Sequence, residues 1–400
     1  MKPLVVVGAG LAGWTLVREL RKLAPDPLAT PISLVTADSG DFYAKPSLSN
    51  AFAQGKAPAQ LITTAAGAMA ASQKVELVAG TRLLAIDTAA RVVQTSSGPL
   101  AYSRLVLATG AQPIRPALQG DAAEQVLAVN TLEDFARFHG RLSMANMAAS
   151  HHETSGDSYQ NRSKHVLILG AGLIGCEFAN DIAQAGYRVT VVDPGTRALA
   201  ALLPAQASSR LQAALETCGV KFLWGLTVQA VNHQAVGLQA GLSDGSTLAA
   251  DVVLSAIGLR ADTRIAQAAG ICCERGIRVD GYLQTSAPGV YALGDSAQYA
   301  HGVTMPYVMP IMAAARALAA TLAGQDTAVV FPVMPVSVKT PTLPVLVAPP
   351  PLATPGEWRG AEDGLWQFFD TEGRQRGFTL TGKGTARRAE QLRALEGHSA

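Results

Sequence analysis

LVVVGAGLAG, residues 4–13, and HVLILGAGLIG, residues 165–175, decide the fold. Leu4 to Val7 and Val166 to Leu169 are continuous apolar runs rich in branched side chains. A strand buried on both faces of a parallel sheet requires that pattern. In each copy the first glycine (Gly8, Gly170) allows a tight turn. The second (Gly10, Gly172) lets the backbone approach a pyrophosphate, and the third (Gly13, Gly175) lets a helix pack close to the strand. Leu11 and Ala12, and likewise Leu173 and Ile174, open helices whose free N–H groups and positive ends suit phosphates. One such fingerprint is weak, because tight strand-to-helix turns also occur without a ligand. Two in the same context predict two dinucleotide sites in an α/β fold with two Rossmann-like domains. A chain that binds two dinucleotides is suited to passing electrons between them.

The acid downstream of each fingerprint separates the two sites. After Gly170 the next strand, YRVTVVD, ends at Asp193. That spacing suits a carboxylate that accepts hydrogen bonds from an adenosine ribose and repels a 2′-phosphate, so NADH is favoured over NADPH. Arg188 and Arg197 stand nearby and would have to stay clear of a 2′-phosphate for that reading to hold. At the first site ISLVTAD offers Asp38, which is either the ribose ligand or a turn residue.

The 400 residues carry 48% hydrophobic side chains and a formal charge of +2. That is enough apolar content for two or three cores, and no charge excess points to nucleic acid or a membrane surface. No glycine- and charge-free apolar run reaches about 18 residues, and no charged leader precedes the first strand. The four cysteines, Cys176, Cys218, Cys272 and Cys273, form no CxxC pair and no zinc spacing. They are expected reduced, in cytosol, and no metal site is expected. A helix is expected near 58–72 and another near 130–140. The polar stretch MANMAASHHETSGDSYQNRSKH reads as an exposed loop, its His151 and His152 solvated. A long helix is expected from Met309 to Ala323, stopped by Gly324. Beyond 326 a Pro- and Val-rich stretch suggests extended segments, followed by a hairpin of LWQFFD and RGFTLTG and a charged helix near Thr385 to Leu395.

The motifs YAKPSLSNAF (43–52), LATGAQPIR (107–115), GAGLIGCEFANDIAQAGY (170–187), SAIGLR (255–260), YALGDSA (291–297), YVMPIMAAARALAATLAG (307–324) and MPVSVKTP (334–341) span nearly the whole chain. With them the chain resembles the two-dinucleotide-fold flavoprotein reductases of the glutathione-reductase type, and among those the rubredoxin–NAD(+) reductases. The ATG and GD motifs are shared widely; KPxLS, CEFAND, YVMP and VKTP are more specific. The polar insertion near 145–163 is longer than usual for the family. The resemblance implies a discontinuous FAD-binding domain (1–115 and 256–325), an NADH-binding domain (116–255) and a small α+β C-terminal domain (326–400).

It also implies residue roles. Ala108, Thr109, Gly110, Gly258 and Gly294 belong to cofactor-binding motifs. Asp295 would hold the ribityl chain of FAD, where the plain alternative is a helix N-cap. Val308 and Met309 would present a helix N-terminus to the flavin, where the alternative is a buried helix start. Lys45, followed by Pro46, and Glu177 would pair on the nicotinamide side. Alternatively Lys45 is a surface lysine and Glu177 a first-turn residue that answers the helix dipole. Lys339, the only cation in its Pro-bounded apolar segment, would reach the flavin from the opposite face, or else protect a strand edge.

The function implied is transfer of a hydride from NADH to FAD, then of single electrons to rubredoxin or a similar small iron carrier. Flavorubredoxin and ferredoxin are alternative acceptors. Asn50 occupies about the place of the cysteine that an NADH peroxidase or oxidase needs. From another class, the chain could sense nicotinamide nucleotides through partner binding, or be a structural protein that has lost its cofactor. A monomer is expected, because the C-terminal domain is short and lacks an evident long apolar dimer face.

Overall fold

The computed structural model describes residues 2–148, 163–351 and 353–396. The histidines 151 and 152 and most of the polar insertion lie outside the described residues. Backbone contacts divide the chain into two compact units. One comprises Met1–Lys45, Gln60–Gln112 and Leu259–Met334; the other comprises Pro46–Ala59, Pro113–Gly258 and Pro335–Ala400.

The first unit is built on a five-stranded sheet in the order Val290–Ala292, Arg104–Leu107, Leu4–Val7, Ile32–Val35, Glu76–Val78, and every neighbouring pair is parallel. The strand Leu4–Val7 is buried along its length because it is central, which accounts for its unbroken apolar run. Strands lie on both sides of it, so the turn at Gly8 sits where the sheet order reverses, the usual ligand position in such sheets. The helix Leu11–Leu23 follows that turn and packs against Val308–Leu322, whose buried face is mostly alanine and leucine. The predicted helix at 58–72 is divided. A short 3₁₀ turn, Pro58–Leu61, leads into the strand Ile62–Thr64, and the helix begins at Ala66 and runs to Gln73. The β-branched Ile62, Thr63 and Thr64 pair with Phe42–Tyr43, and that tertiary pairing overrides the helical reading.

The second unit repeats the plan. Its parallel sheet runs Val220–Trp224, Arg188–Asp193, His165–Leu169, Val252–Ser255, again with the fingerprint strand inside. An antiparallel meander, Val228–His233, Leu238–Leu242 and Thr247–Ala250, shares a core with it. The helix expected at 130–140 runs from Leu132 to Ala148. The C-terminal stretch forms a five-stranded antiparallel sheet in the order Val336–Val338, Val345–Ala348, Gln375–Thr381, Leu365–Asp370, Gly356–Ala361. The expected hairpin is there, and the helix Arg388–Glu396 packs on Gln375–Thr381. A set of glutamine side chains, Gln375 and Gln391 buried and Gln367 half-buried, spans that contact. Gln367 donates to Gln375 (2.9 Å) and to Gln391 (3.0 Å), and Gln375 donates to Gln391 (2.9 Å).

Candidate functional site

The first cradle lies wholly in the first unit. Gly8 has φ of 112°, and a Cβ there would stand 2.2 Å from the carbonyl oxygen of Ala108. A Cβ on Gly13 would stand 1.9 Å from the carbonyl oxygen of Gly8. The protein itself therefore demands both glycines. Gly10 is different: its φ of −76° suits any residue, and a Cβ would meet nothing within 4 Å. The helix it opens has no side-chain cap and no acid in its first turn. Free N–H groups beside open space, at a bare helix N-terminus, fit a phosphate.

Two further observations support a nucleotide with hydroxyl groups. Asp295 Oδ1 and Thr109 Oγ1 are buried with no hydrogen-bond partner among the described residues. Buried polar groups are normally satisfied, so these two call for a ligand that brings its own donors and acceptors. Burial pushes the Asp295 carboxyl above its ordinary range, and the Lys45 ammonium pulls it the other way. Gly294, at φ of 77°, carries the chain past Ala12, whose Cβ would stand 2.9 Å from a Cβ at that position. The helix Val308–Leu322 also starts without a side-chain cap. Its first residues, Val308 and Met309, are 41% and 54% exposed. The plain alternative, a buried helix start, does not describe them. Asp38 uses Oδ1 to close its own turn, accepting from Thr36 Oγ1 (2.6 Å) and the Gly40 amide (2.9 Å).

The second cradle, in the second unit, has the same construction. A Cβ on Gly170 would stand 2.8 Å from the carbonyl oxygen of Ala256 and one on Gly175 2.0 Å from that of Gly170, while one on Gly172 would meet nothing within 4 Å. Again no side chain caps the helix, and no acid lies in its first turn. Asp193 accepts the Ala171 amide through Oδ2 (2.7 Å) and the Gly195 amide through Oδ1 (2.6 Å), so it shapes the fingerprint turn. Each oxygen keeps a second lone pair for a ribose hydroxyl. Both nearby arginines are engaged elsewhere. Arg188 Nε donates to the Ser163 carbonyl (3.1 Å), and Arg197 donates to those of Leu203 (2.6 Å) and Ala200 (3.1 Å). Each arginine therefore has a carbonyl partner within the protein itself. Gly258, where the chain leaves this unit, has φ of 124° and would place a Cβ 3.5 Å from Ile114 Cδ1.

The polar face of the helix Leu173–Gln184 gathers a third group. Glu177, 2% exposed, accepts the Ser49 hydroxyl (2.6 Å) through one oxygen and the Lys339 amide (2.8 Å) through the other. The Lys339 ammonium stands 3.8 Å from Glu177, an ion pair rather than a hydrogen bond, and donates to the Pro46 carbonyl at 3.0 Å. Burial lowers the Lys339 ammonium from its ordinary range, and Glu177 raises it in part. Lys339 is thus a cation at Glu177, and Lys45, whose charge acts on Asp295, is grouped with the first unit. Lys339, alone in its stretch of sequence, has a carboxylate partner in space. Ser49, Asn180 and Asp181 were not anticipated. The signal was present as Glu177, Asn180, Asp181 and Gln184, a polar stripe at helical spacing where a core helix should show apolar residues. Asn180 accepts the Thr342 amide (3.3 Å), and Gln184 donates to the Thr342 hydroxyl (3.1 Å). All four cysteines are free thiols. Burial raises the Cys176 thiol to about 12, which makes it inert. No group of three metal-ligating side chains occurs among the described residues.

Comparison with known proteins agrees with this arrangement. The pyridine nucleotide-disulphide oxidoreductase family matches residues 2–319, and the rubredoxin binding C-terminal domain matches residues 328–395. The rubredoxin-NAD(+) reductase of Alcanivorax borkumensis is 43% identical over 387 residues, covering 96% of each chain. The nitric oxide reductase FlRd-NAD(+) reductase of Aeromonas salmonicida is 41% identical over 367 residues, covering 92% of this chain and 86% of the relative. Among solved structures, a chain of the covalent putidaredoxin reductase–putidaredoxin complex superposes with a TM-score of 0.85 at 23% identity, covering 99% of this chain and 93% of its own. A ferredoxin reductase from Rhodopseudomonas palustris gives 0.83 at 25%, covering 98% and 94%.

Proposed function

This chain belongs to the pyridine nucleotide-disulphide oxidoreductase family, and from that premise we propose that it is an FAD-dependent reductase that takes hydride from NADH and passes single electrons to rubredoxin. The observation that carries the reading is the pair of open, uncapped cradles at Gly10 and Gly172. The match of residues 328–395 to a rubredoxin-binding domain supports the acceptor. When bound, FAD accepts two electrons together and releases them one at a time, which couples a hydride donor to a one-electron carrier.

The residues divide the work. Gly8 to Gly13 and the helix end behind them bind one pyrophosphate, with Asp38 at its ribose. Asp295 and Thr109 supply the buried polar atoms that grip the sugar-like chain. The N-terminus of Val308–Leu322, with Val308 and Met309 as its first residues, would offer amides and positive partial charge to the flavin. Gly170 to Gly175 bind the second pyrophosphate and Asp193 its ribose. With Arg188 and Arg197 each bonded to a backbone carbonyl and a carboxylate at the ribose position, the reading favours NADH over NADPH. Lys45 would supply positive charge that favours hydride transfer in this site. Glu177 organises Lys339 and the 46–49 segment. No thiol relay is needed, which suits four free cysteines and an asparagine at position 50.

Flavorubredoxin is the second acceptor to consider, because the Aeromonas relative is named for that couple. The reading also takes the protein to be a cytoplasmic monomer, and sedimentation at micromolar concentration checks its state of assembly. Purified protein should be yellow, and NADH should bleach it much faster than NADPH under anaerobic conditions. A colourless protein would remove the flavin reading, and equal bleaching would remove the argument from Asp193 and the two arginines.

A further inference from the structure

Residues 46–53, PSLSNAFA, precede most of the first unit in sequence yet fold as part of the second. Four independent contacts hold them there. Asp181 accepts the Phe52 amide through Oδ2 and the Ala53 amide through Oδ1, each at 2.9 Å. Ser49 donates to Glu177, and Lys339 donates to the carbonyl of Pro46. The Phe52 ring fits among Phe135 and Phe138, both at 5.3 Å edge to face, and stacks on His139 at 5.5 Å.

Of these anchors Asp181 needs the most explanation. It is a carboxyl 2% exposed with no cation partner among the salt bridges of the described residues, and its bonds go to backbone amides of one short segment. Burial pushes it above the ordinary carboxylate range, against the pull of the amides of Ala53, Phe52 and Ala51. Burying such a group is costly unless it is fully hydrogen-bonded, so an apolar helix residue would be the cheaper way to fill the space. What a carboxylate adds is geometry, because its two oxygens fix two successive amides at once. The segment is joined directly to Lys45. Pro46 has a fixed φ and narrows the torsions open to the residue before it, so the place of the segment largely sets the place of the Lys45 backbone.

We propose that Asp181 is a positioning residue for the reaction: by clamping the amides of Phe52 and Ala53 it fixes the 46–53 strap, and through Pro46 it sets Lys45 for hydride transfer. This rests on the reading of Lys45 given above. The companion anchors act in parallel, so the strap is held to the NADH-binding unit at both of its ends.

The test is a double-mutant cycle on the holoenzyme with Asp181→Asn and Lys45→Met. In Asp181→Asn the side-chain amide turns a donor toward a backbone donor, with almost no change in volume. The limiting rate of flavin bleaching by NADH should fall roughly tenfold to a hundredfold, the range that small misplacement of a reacting group produces. The NADH concentration for half-saturation should change much less. Lys45→Met should slow bleaching as well, and the double variant should be no slower than Lys45→Met, because both changes remove one effect. Amide hydrogen exchange across 46–56 should quicken in Asp181→Asn whether or not FAD is bound. If Asp181→Asn folds poorly, Phe52→Leu loosens the same strap from its aromatic side and should enter the same cycle.

Additive losses would overturn the proposal and leave Asp181 a structural staple. So would faster exchange in the strap with an unchanged bleaching rate. A silent Lys45→Met would defeat the reading of Lys45 itself and the proposal with it, an outcome distinct from additivity.

Discussion

The two kinds of fingerprint glycine should respond oppositely to the addition of one methyl group. Consider Gly10→Ala and Gly13→Ala. At Gly13 the new Cβ would stand 1.9 Å from a backbone oxygen, which no side-chain movement relieves. That substitution should damage the protein with or without cofactor. At Gly10 the backbone is already in a conformation open to alanine, and no protein atom lies within 4 Å of the new Cβ. The cost to the apoprotein is confined to a poorer N-cap, about 1 kcal/mol or less. The methyl does, however, project into the space assigned to the FAD pyrophosphate. Moving the phosphates off the helix N-terminus loses at least one hydrogen bond to a charged group, worth about 1.5–3 kcal/mol. FAD should therefore bind roughly tenfold to a hundredfold more weakly. The assay titrates apoprotein with FAD by flavin fluorescence and follows apoprotein unfolding in urea alongside. Gly172→Ala is the internal control: it should weaken NADH by a similar factor and leave FAD in place. Unchanged FAD affinity in Gly10→Ala, or an apoprotein as damaged as that of Gly13→Ala, would refute the cradle argument.

Asp193→Ala should raise the NADH concentration for half-saturation about tenfold or more. It should not make NADPH the better donor, because Arg188 and Arg197 stay bonded to carbonyls; a switch to NADPH would show that those arginines are free to move. Asp295→Asn should weaken FAD and yet stabilise the apoprotein. A carboxyl whose folded pKa is raised binds more protons folded than unfolded, so the wild-type apoprotein loses stability as pH climbs from the unfolded carboxyl pKa of ~3.9 through the folded value. The variant's advantage should thus vanish below about pH 4 and be full above the folded value, as thermal unfolding across pH would show. Gln391→Leu removes an acceptor shared by the buried Gln375 amide and the half-buried Gln367 amide. It should cost about 2 kcal/mol of stability in urea unfolding, with FAD content untouched.

The cradles were legible because their chemistry is local. Strand, turn and helix start lie within ten residues, and the glycines reveal both the tight backbone and the ligand space. Asp193 was legible by its distance from the second fingerprint, although its role in shaping the Ala171 turn was not. What could not be read depends on residues far apart in the chain. Lys339 looked like an isolated cation because Glu177, its partner, is 162 residues away. Asp181 lay inside the motif CEFAND, but nothing local indicates that it holds amides 128 and 129 positions earlier. The helix expected at 58–72 is interrupted for the same reason. An alanine-rich stretch favours helix, but the pairing of Ile62–Thr64 with Phe42–Tyr43 is tertiary and decided the matter.

The central claim is that electrons pass from NADH through flavin straight to a rubredoxin. The measurement that tests it most directly is steady-state NADH oxidation by the purified yellow protein with oxidised rubredoxin as acceptor and a ferredoxin at equal concentration as control. Rapid turnover with rubredoxin, slow turnover with ferredoxin, and no loss of rate after alkylation of the cysteines are expected. Rapid bleaching of the flavin by NADH with little delivery of electrons to rubredoxin would contradict the account at its acceptor.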